Sequence, residues 1–405
     1  MSRGLLPIDD ARAIVTRIAG RRLGTETVRI DDALGRVLAA DVVADDDVPR
    51  FSSSAMDGYA VVDPGAGAEL AVVGESRAGH PYRGALGPGQ AVRISTGAQV
   101  PDDARAVIRQ EDVHVQAHDT TIQTQVELTP GENLRLPGED MRGGEVVLTS
   151  GMRLRAPELG AGVAAGAGEL TVARRPVVSV LATGDELRAP GEPLGPGQIH
   201  NSNALVLRAL VTRCGGEPDR GQTDVLPDDP RATEQALGEV LGRSDVVIVS
   251  GGVSVGPHDH VKPALASLGV TEHFWGVALQ PGKPTWFGAR QDTLVFGLPG
   301  NPVSAAVTFS LFARPALDVL LGAIPERPPL PEAELAQDVA RNPVRAQAIR
   351  VRLEMRGGRP VVSPTGAQGS HLFTSLLRAD CLAMIPQGEG RLAAGTTVKL
   401  EPLPA

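Results

Sequence analysis

The sequence is short of lysine, aromatic residues and cysteine, and each shortage narrows what the chain can do. Lys262, Lys283 and Lys399 are the only lysines among 39 basic residues, so arginine carries the rest of the positive charge. The formal net charge is -9 at pH 7. Such a chain lacks the broad basic face that non-specific nucleic-acid binding requires, and any anion must be held by local donors. Aromatics are 3% of residues, too few for platforms on which bases stack. Cys214 and Cys381 fall in no CxxC or Cys/His cluster, so the sequence suggests neither a disulfide framework nor a zinc site. No uncharged apolar run reaches the length of a membrane span. The opening residues lack the apolar core of a signal peptide, and a cytoplasmic protein that binds no membrane is expected.

What the sequence does have is length and an ordinary globular composition. Its 405 residues, 42% hydrophobic and 21% charged, exceed what one core of usual size needs, so two to four domains are expected. Ile8, Ala11, Ile14, Val15 and Ile18 share one helical face, with Asp9 or Asp10 available as a cap. A short helix is expected over residues 31–38. Alternating runs at 70–73, 91–94 and 106–109, divided by Gly and Pro turns, read as β structure. Residues 151–172 return to a helix followed by a strand. From Arg174 onward, apolar runs at 177–182, from Asp245 and from Thr293 alternate with helices at 201–213 and 303–321. That pattern predicts βαβ units around a buried parallel sheet, whose ligands bind beyond the carboxyl ends of the strands. A proline-rich linker, 324–334, precedes short strands with Gly-rich turns that suit a small barrel or sandwich. The expected domains are 1–45 with 145–173, 46–144, 174–324 and 335–405.

The polar residues collect at the strand ends. In the loop 250–256, Ser250, Gly251, Gly252, Ser254 and Gly256 allow a backbone to approach an anion and aim N–H groups at it. Pro299, Gly300 and Asn301 form a second such loop ahead of a helix, and Lys283 can neutralise a phosphate. Each also reads as an ordinary turn. Glu186, Asp228 and Asp259 follow the strands, and carboxylates beside a phosphate cradle are tolerable when Mg²⁺ lies between them. Each acid alone also reads as a helix cap or solvated loop. Asp57 sits in the small-residue loop 52–59 and Thr96 in Ser95-Thr96-Gly97, both of which suit surface turns equally well. His371, in Gly369-Ser370-His371, reads by itself as a packed or solvated histidine.

The motifs SSSAMDGYAV, ISTGAQVP, GEDMRGGE, LATGDEL, SGGVSVG, QPGKP, GLPGNPVSA and GAQGSH occur in that order over essentially the whole chain. On them the sequence resembles the molybdopterin molybdenumtransferase family, which includes the C-terminal part of gephyrin. The resemblance implies a multidomain α/β plus β architecture. An elongated N-terminal region of mixed α/β and β domains would lead to a doubly wound molybdopterin-binding α/β domain and a small C-terminal β-barrel. It implies Mg-dependent insertion of molybdate into adenylylated molybdopterin with release of AMP, by a homodimer whose active site is shared between subunits. A pterin adenylyltransferase and recipient apo-molybdoenzymes are the implied protein partners. Asp57 and Thr96 then match functional positions facing the partner's α/β domain. Glu186, Asp228 and Asp259 match acids linked to metal and phosphoanhydride. Lys283 and the loop 250–256 match the nucleotide and phosphate side, and Arg350 and Ser370 match positions facing the cleft. Lysines common in the family are replaced by Gly276 and Gln280, with Arg290 or Arg350 available to compensate. His258 and His260 flank Asp259, where an acid or small residue and an aromatic are expected.

Two other readings compete. A pterin adenylyltransferase needs only residues near 174–324 and leaves the flanking β regions unexplained. A peptide-binding scaffold does not need acids at three strand ends.

Overall fold

The computed structural model describes residues 4–20, 23–63, 65–116, 120–219, 221, 225–226, 229–253, 259–325 and 331–403. The first helix, α1 (Ile8–Ile18), buries Ala11 and Val15. Its N-cap is Pro7, with no side-chain cap, so Asp9 and Asp10 do not cap it; they occupy the first turn, where their charge favours the helix dipole. The helix expected over 31–38 is only a 3-10 turn, Ile30–Asp32. Gly35 takes a φ of 75° just beyond it, a conformation that cannot continue a right-handed helix.

The chain leaves this first region and comes back to it. Strand Thr25–Arg29 pairs antiparallel with Glu169–Ala173, and Val42–Val43 with Val146–Leu148. Helix α2 (Ala156–Ala164) covers a core of Ile30, Leu38, Leu148, Leu154 and Val172. Between these halves lies a mixed sheet in the order Ala106–Arg109, Gly58–Val61, Gln90–Ile94, Glu69–Ser76, Thr121–Thr124, Val113–Gln116. The alternating runs read from the sequence are three of its strands.

The central unit is doubly wound. Strands Glu217–Pro218, Val177–Thr183, Val246–Ser250 and Thr293–Leu298 lie side by side in parallel. Helices α3 (Ser202–Arg213), α6 (Pro302–Thr308) and α7 (Arg314–Leu321) pack on one face together with α1, around Leu207, Val307, Phe309 and Leu317. Helices α4 (Pro230–Leu241) and α5 (Val261–Ser267) cover the other, around Leu237, Val249 and Leu265. The sheet is not wholly parallel, contrary to the sequence reading: Trp286–Arg290 and Thr271–Trp275 extend it antiparallel. Only Gln291 and Asp292 separate Trp286–Arg290 from Thr293–Leu298, a connection that allows a hairpin and no crossover. The helix expected over 303–321 runs through a π-helical turn, Phe309–Ala313. Pro302–Leu321 is long and apolar enough to cross a membrane, but 78% of its most apolar window is buried, as in a core helix.

The C-terminal strands close into a barrel. Ala346–Arg356, Arg359–Pro364, Glu332–Leu335, Thr397–Pro402 and Cys381–Ile385 pair in sequence, and Cys381–Ile385 pairs back with Ala346–Arg356. The central unit lends this barrel a two-residue strand, Leu279–Gln280, parallel to Ala346–Arg356. That pairing fixes the barrel over the carboxyl edge of the central sheet.

Phe287 is fully buried between Phe274 and Phe296, with ring centroids 5.6 and 4.9 Å away. Phe287→Ala should destabilise the central unit by about 3–5 kcal/mol, read as a lower urea midpoint of its unfolding transition. An unchanged midpoint would show that the aromatic cluster does not hold the sheet.

Candidate active site

Strands Val177–Thr183, Val246–Ser250 and Thr293–Leu298 end at the same edge, and the loops that follow them are tied together by side chains. Asn201 caps α3 by accepting from the Ala204 N–H at 3.1 Å, which fixes the first turn of the helix above that edge. From that turn the Asn203 amide donates to Ser250 Oγ at 2.9 Å and to the Gly300 carbonyl at 2.7 Å. Gly251 and Gly252 have φ of 91° and 63°, and a Cβ on either would fall within 2.7 Å of Thr183 Oγ1 or Val261 Cγ2. This glycine pair is a backbone requirement of the close packing of two loops. Gly184 has a related role: a Cβ there would lie 2.3 Å from the Glu186 carboxylate.

The loops enclose a cleft of about 560 Å³ lined by Thr183, Glu186, Asn203, Ser250, Asn301 and His371 among others. Its Glu186 carboxylate is exposed and makes no hydrogen bond or ion pair with the described residues. Asn201, only 4% exposed, also lines this cleft, and its buried amide nitrogen has no partner among the described residues. A buried amide donor left open in this way suits an acceptor on a ligand.

A second cleft, of about 430 Å³, lies between the central unit and the barrel. It is lined by Gln280, Lys283, Arg345, Gln368, Ser370 and His371, with Pro299, Asn301 and Ser304 from the central unit, and no carboxylate is among its lining residues. Asn301 and His371 line both clefts. The dividing wall is held by Asn301 donating to Ser370 Oγ at 3.1 Å and by the Val303 N–H donating to the Ser370 carbonyl.

Behind this wall Arg350 is fully buried. Its Nε donates to Ser375 Oγ and its Nη2 to the Gly369 carbonyl, while Nη1 has no partner among the described residues. Burial pushes its pKa below the usual guanidinium value, though a guanidinium stays charged at neutral pH. Arg350 therefore acts on the cleft through the loop 368–370 and does not itself form its lining.

The structure thus brings together Glu186, Ser250, Pro299, Gly300, Asn301, Lys283 and Ser370, with Gly251, Gly252 and Arg350 supporting them. Asp259 is half-exposed just before α5 and lines neither cleft. Asp228, Ser254, Gly256 and His258 lie outside the described residues. Asp229 accepts from the Ala232 N–H at 2.8 Å and caps α4. Arg290 closes the strand of the hairpin at the far edge, and Gly276 is buried, so neither lines a cleft. Asn203 and Arg345 were missed by motif reading, because each acts by position on a helix or barrel turn that no local pattern marks, and Gln368 lay inside GAQGSH without being singled out.

Asp57, just before strand Gly58–Val61, and Thr96, in the turn after Gln90–Ile94, stand at one end of the N-terminal sheet, outside both clefts. Asp57 Oδ1 accepts from the Thr96 N–H at 2.7 Å and from its hydroxyl at 3.0 Å.

Against known proteins, residues 6–166 match the MoeA N-terminal region (domain I and II), 179–319 a probable molybdopterin binding domain, and 332–403 the MoeA C-terminal region (domain IV). A molybdopterin molybdenumtransferase of Haemophilus influenzae is 36% identical over 98% of both chains. The chain belongs to the molybdopterin molybdenumtransferase family. A Staphylococcus aureus member, from strain Mu50, is 32% identical over 98% of this chain and 96% of its own. The crystal structure of the molybdopterin biosynthesis moeA protein of Pyrococcus horikoshii OT3 superposes with a TM-score of 0.81 at 30% identity, over 98% of this chain and 100% of that one. The multidomain α/β and β architecture is therefore that of the family.

The bonds from Thr96, its N–H first and then its hydroxyl, hold the Asp57 pKa below the usual carboxylate value. The stabilisation linked to this carboxylate is therefore present above its unfolded-state pKa and lost as pH falls through the lower folded value. Thr96→Val removes the hydroxyl bond, and the Asp57 midpoint in a carboxyl-carbon NMR titration should move up. A midpoint that stays put would mean that the hydroxyl does not act on the carboxylate.

Proposed function

We propose that the chain inserts molybdate into adenylylated molybdopterin, releasing AMP and the molybdenum cofactor. The observation that carries this reading is the pair of clefts that share Asn301 and His371. One presents a carboxylate with hydroxyl and amide groups, and the other presents cations, amides and hydroxyls. A reaction that joins a tetrahedral oxyanion to a substrate bearing a phosphoanhydride needs two such neighbouring sites.

The donor set fits Mg²⁺. No group of three or more His, Cys, Asp or Glu that could hold a metal occurs among the described residues, so an all-protein cage is not built from them. Mg²⁺ typically takes one or two carboxylates and completes its shell with water and phosphate oxygens, and Glu186 offers such a carboxylate at the cleft. Glu186 would hold the ion at the cleft; the resemblance adds Asp228 and Asp259, of which Asp259 stands before α5 outside both cleft linings. When bound, the ion neutralises charge on the anhydride oxygens and on the departing AMP. Asn203, Ser250 and Gly251 spend their donors on fixing the loops, so that the backbone at Gly252 faces the phosphates and the open Asn201 amide supplies a neutral donor. Lys283 and Ser370 bind molybdate in the second cleft, and Arg350 keeps the Ser370 loop in place.

The partner protomer supplies the remaining residues in this reading. Asp57 and Thr96 stand apart from both clefts of their own chain, so a role at the reacting centre requires a second copy. Leu34, Val43, Val146 and Val163 are exposed on the N-terminal region, and Val43 is paired with Val146, giving apolar surface for a two-fold contact.

The test is AMP release from adenylylated molybdopterin with Mg²⁺, with and without molybdate. Wild type should release AMP only with molybdate, and Glu186→Gln and Asp259→Ala should each lose about 100-fold or more. A folded protein given intact substrate and releasing no AMP would overturn the reading in favour of a binding role. Sharing of the site has its own test. Asp57→Ala and Glu186→Gln, each inactive, should recover about a quarter of wild-type turnover when co-refolded as mixed dimers. No recovery would place Asp57 in its own chain's reaction or outside it.

A further inference from the structure

Of the two residues that line both clefts, Asn301 carries an amide that does not titrate, whereas His371 carries an imidazole, a group able to take up and return a proton near neutral pH. The other ionisable side chains of the two linings are committed elsewhere. In the first cleft the His200 ring is bonded through Nε2 to the Glu192 carbonyl at 3.0 Å, and Glu186 is the proposed magnesium ligand. In the second, Lys283 and Arg345 are of residue types that keep their protons at neutral pH. A proton that has to pass where the clefts meet therefore has one carrier among the residues they share.

The ring of His371 is free while its backbone is held. The side chain is exposed and makes no hydrogen bond or ion pair with the described residues, so both ring nitrogens are open to a ligand. The His371 carbonyl accepts from the Phe373 N–H at 3.0 Å, and Ser370 Oγ accepts from Asn301 at 3.1 Å. The Gly369 carbonyl accepts from Arg350 Nη2 at 3.1 Å and from the Leu372 N–H at 3.2 Å. The ring lies back against Gly369, where a Cβ would fall 2.9 Å from His371 Cε1 and 3.2 Å from Nδ1. A glycine fixed by a buried arginine thus gives the imidazole its seat, and the position of the ring is set without use of either nitrogen.

We propose that His371 is a catalytic residue that carries protons from the dithiol of molybdopterin to the oxygen that leaves molybdate, with Gly369 as its positioning residue. The proposal rests on the molybdate-inserting reading and names a step within it. Molybdate joins the dithiol by exchanging oxygen for sulfur. Two Mo–S bonds form, one Mo–O bond breaks and both S–H bonds break. The oxygen departs as water with the two thiol protons, so charge is conserved and the oxidation state of molybdenum does not change. Oxide is too basic to leave without those protons, and a thiol is a poorer ligand than a thiolate. The neutral His371 ring accepts a proton from one S–H and frees a thiolate. The imidazolium then gives that proton to the departing oxygen, and the ring returns to its starting state. The second S–H proton follows the same route.

The experiment uses the full-length protein with Mg²⁺, adenylylated molybdopterin and molybdate, and follows both AMP release and the molybdenum cofactor formed. In His371→Gln the saturated rate of cofactor formation should fall about 100-fold or more, with the half-saturating molybdate concentration hardly moved. Imidazole added to His371→Gly should restore part of the lost rate and leave wild type unaffected. Gly369→Ala keeps the imidazole but displaces it, and should lower the saturated rate by less than His371→Gln does. Circular dichroism identifies a variant that fails to fold, and His371→Ala then replaces His371→Gly in the rescue. A folded His371→Gln that keeps the wild-type saturated rate overturns the proposal while the molybdate-inserting reading stands. A loss confined to the half-saturating molybdate concentration, or a lowered rate that imidazole leaves untouched, overturns it in the same way by giving the ring a binding or structural role. Wild type that releases no AMP and forms no cofactor removes the reaction and the proposal together.

Discussion

The Asn203 amide donates at once to Ser250 and to the Gly300 carbonyl, and both clefts depend on that double bond. It joins loops from two adjacent parallel strands to the first turn of α3. With Asn203 in place, Ser250 and Gly300 are held at a fixed spacing, and the dividing wall that starts at Asn301 is fixed with them. The geometry is obtained cheaply in sequence terms, because neither donor nor acceptors lie in long loops. The close approach does demand Gly251 and Gly252, where a side chain would strike Thr183 or Val261. A hydrogen bond of this kind contributes about 1 kcal/mol to stability, so its importance lies in placement more than in folding energy.

The barrel contributes through a different constraint, a fully buried guanidinium. Burying Arg350 is costly, and burial lowers its pKa accordingly. Two of its nitrogens are satisfied by Ser375 and Gly369, so the charge is spent on fixing the loop that presents Gln368, Ser370 and His371. The strand Leu279–Gln280 supplies the complementary restraint from the other side, by pairing with the barrel. A cleft formed between two units is thus given the rigidity of one. An apolar residue in place of Arg350 would pack, but the Gly369 carbonyl would keep only the Leu372 N–H, and Ser375 Oγ would lose the Arg350 Nε–H.

The central unit was legible because its strands are continuous β-branched runs ending in Gly and polar residues, and period and composition agree there. The antiparallel hairpin at its edge was less legible. A short apolar strand next to another carries no mark of direction until the two-residue connection is seen. The helix expected over 31–38 failed where Gly35 adopts a positive φ, and the caps expected at Asp9 and Asp10 failed because Pro7 already starts α1. At the site, glycines and acids next to strand ends were visible as motifs. Arg345 and Asn203 were not, since they reach the clefts from the turn before Ala346–Arg356 and from the first turn of α3. Arg350 was visible as a matching position, yet its burial and its action through Gly369 are tertiary facts.

The separation of the two clefts follows from electrostatics once a phosphoanhydride and molybdate must meet. Two unit charges of like sign 4 Å apart repel by about 4 kcal/mol at an effective dielectric of 20, and both ligands carry more than one charge. A single undivided cavity would also set Glu186 against the oxyanion. The wall of Asn301 and Ser370 is neutral and donor-rich, and Ser370 is in turn held by the barrel. In the proposed reaction it lets the two anions lie close while each faces its own counter-charge: carboxylate-held metal on one side, the cleft-lining Lys283 and Arg345 on the other. His371 and Asn301 are the lining residues common to both sides, so in the proposed reaction the reactants meet across them. On the proposed reading the barrel, which carries His371 and Arg345, is part of the reaction site, and this gives the separate C-terminal β unit a role beside the α/β sheet.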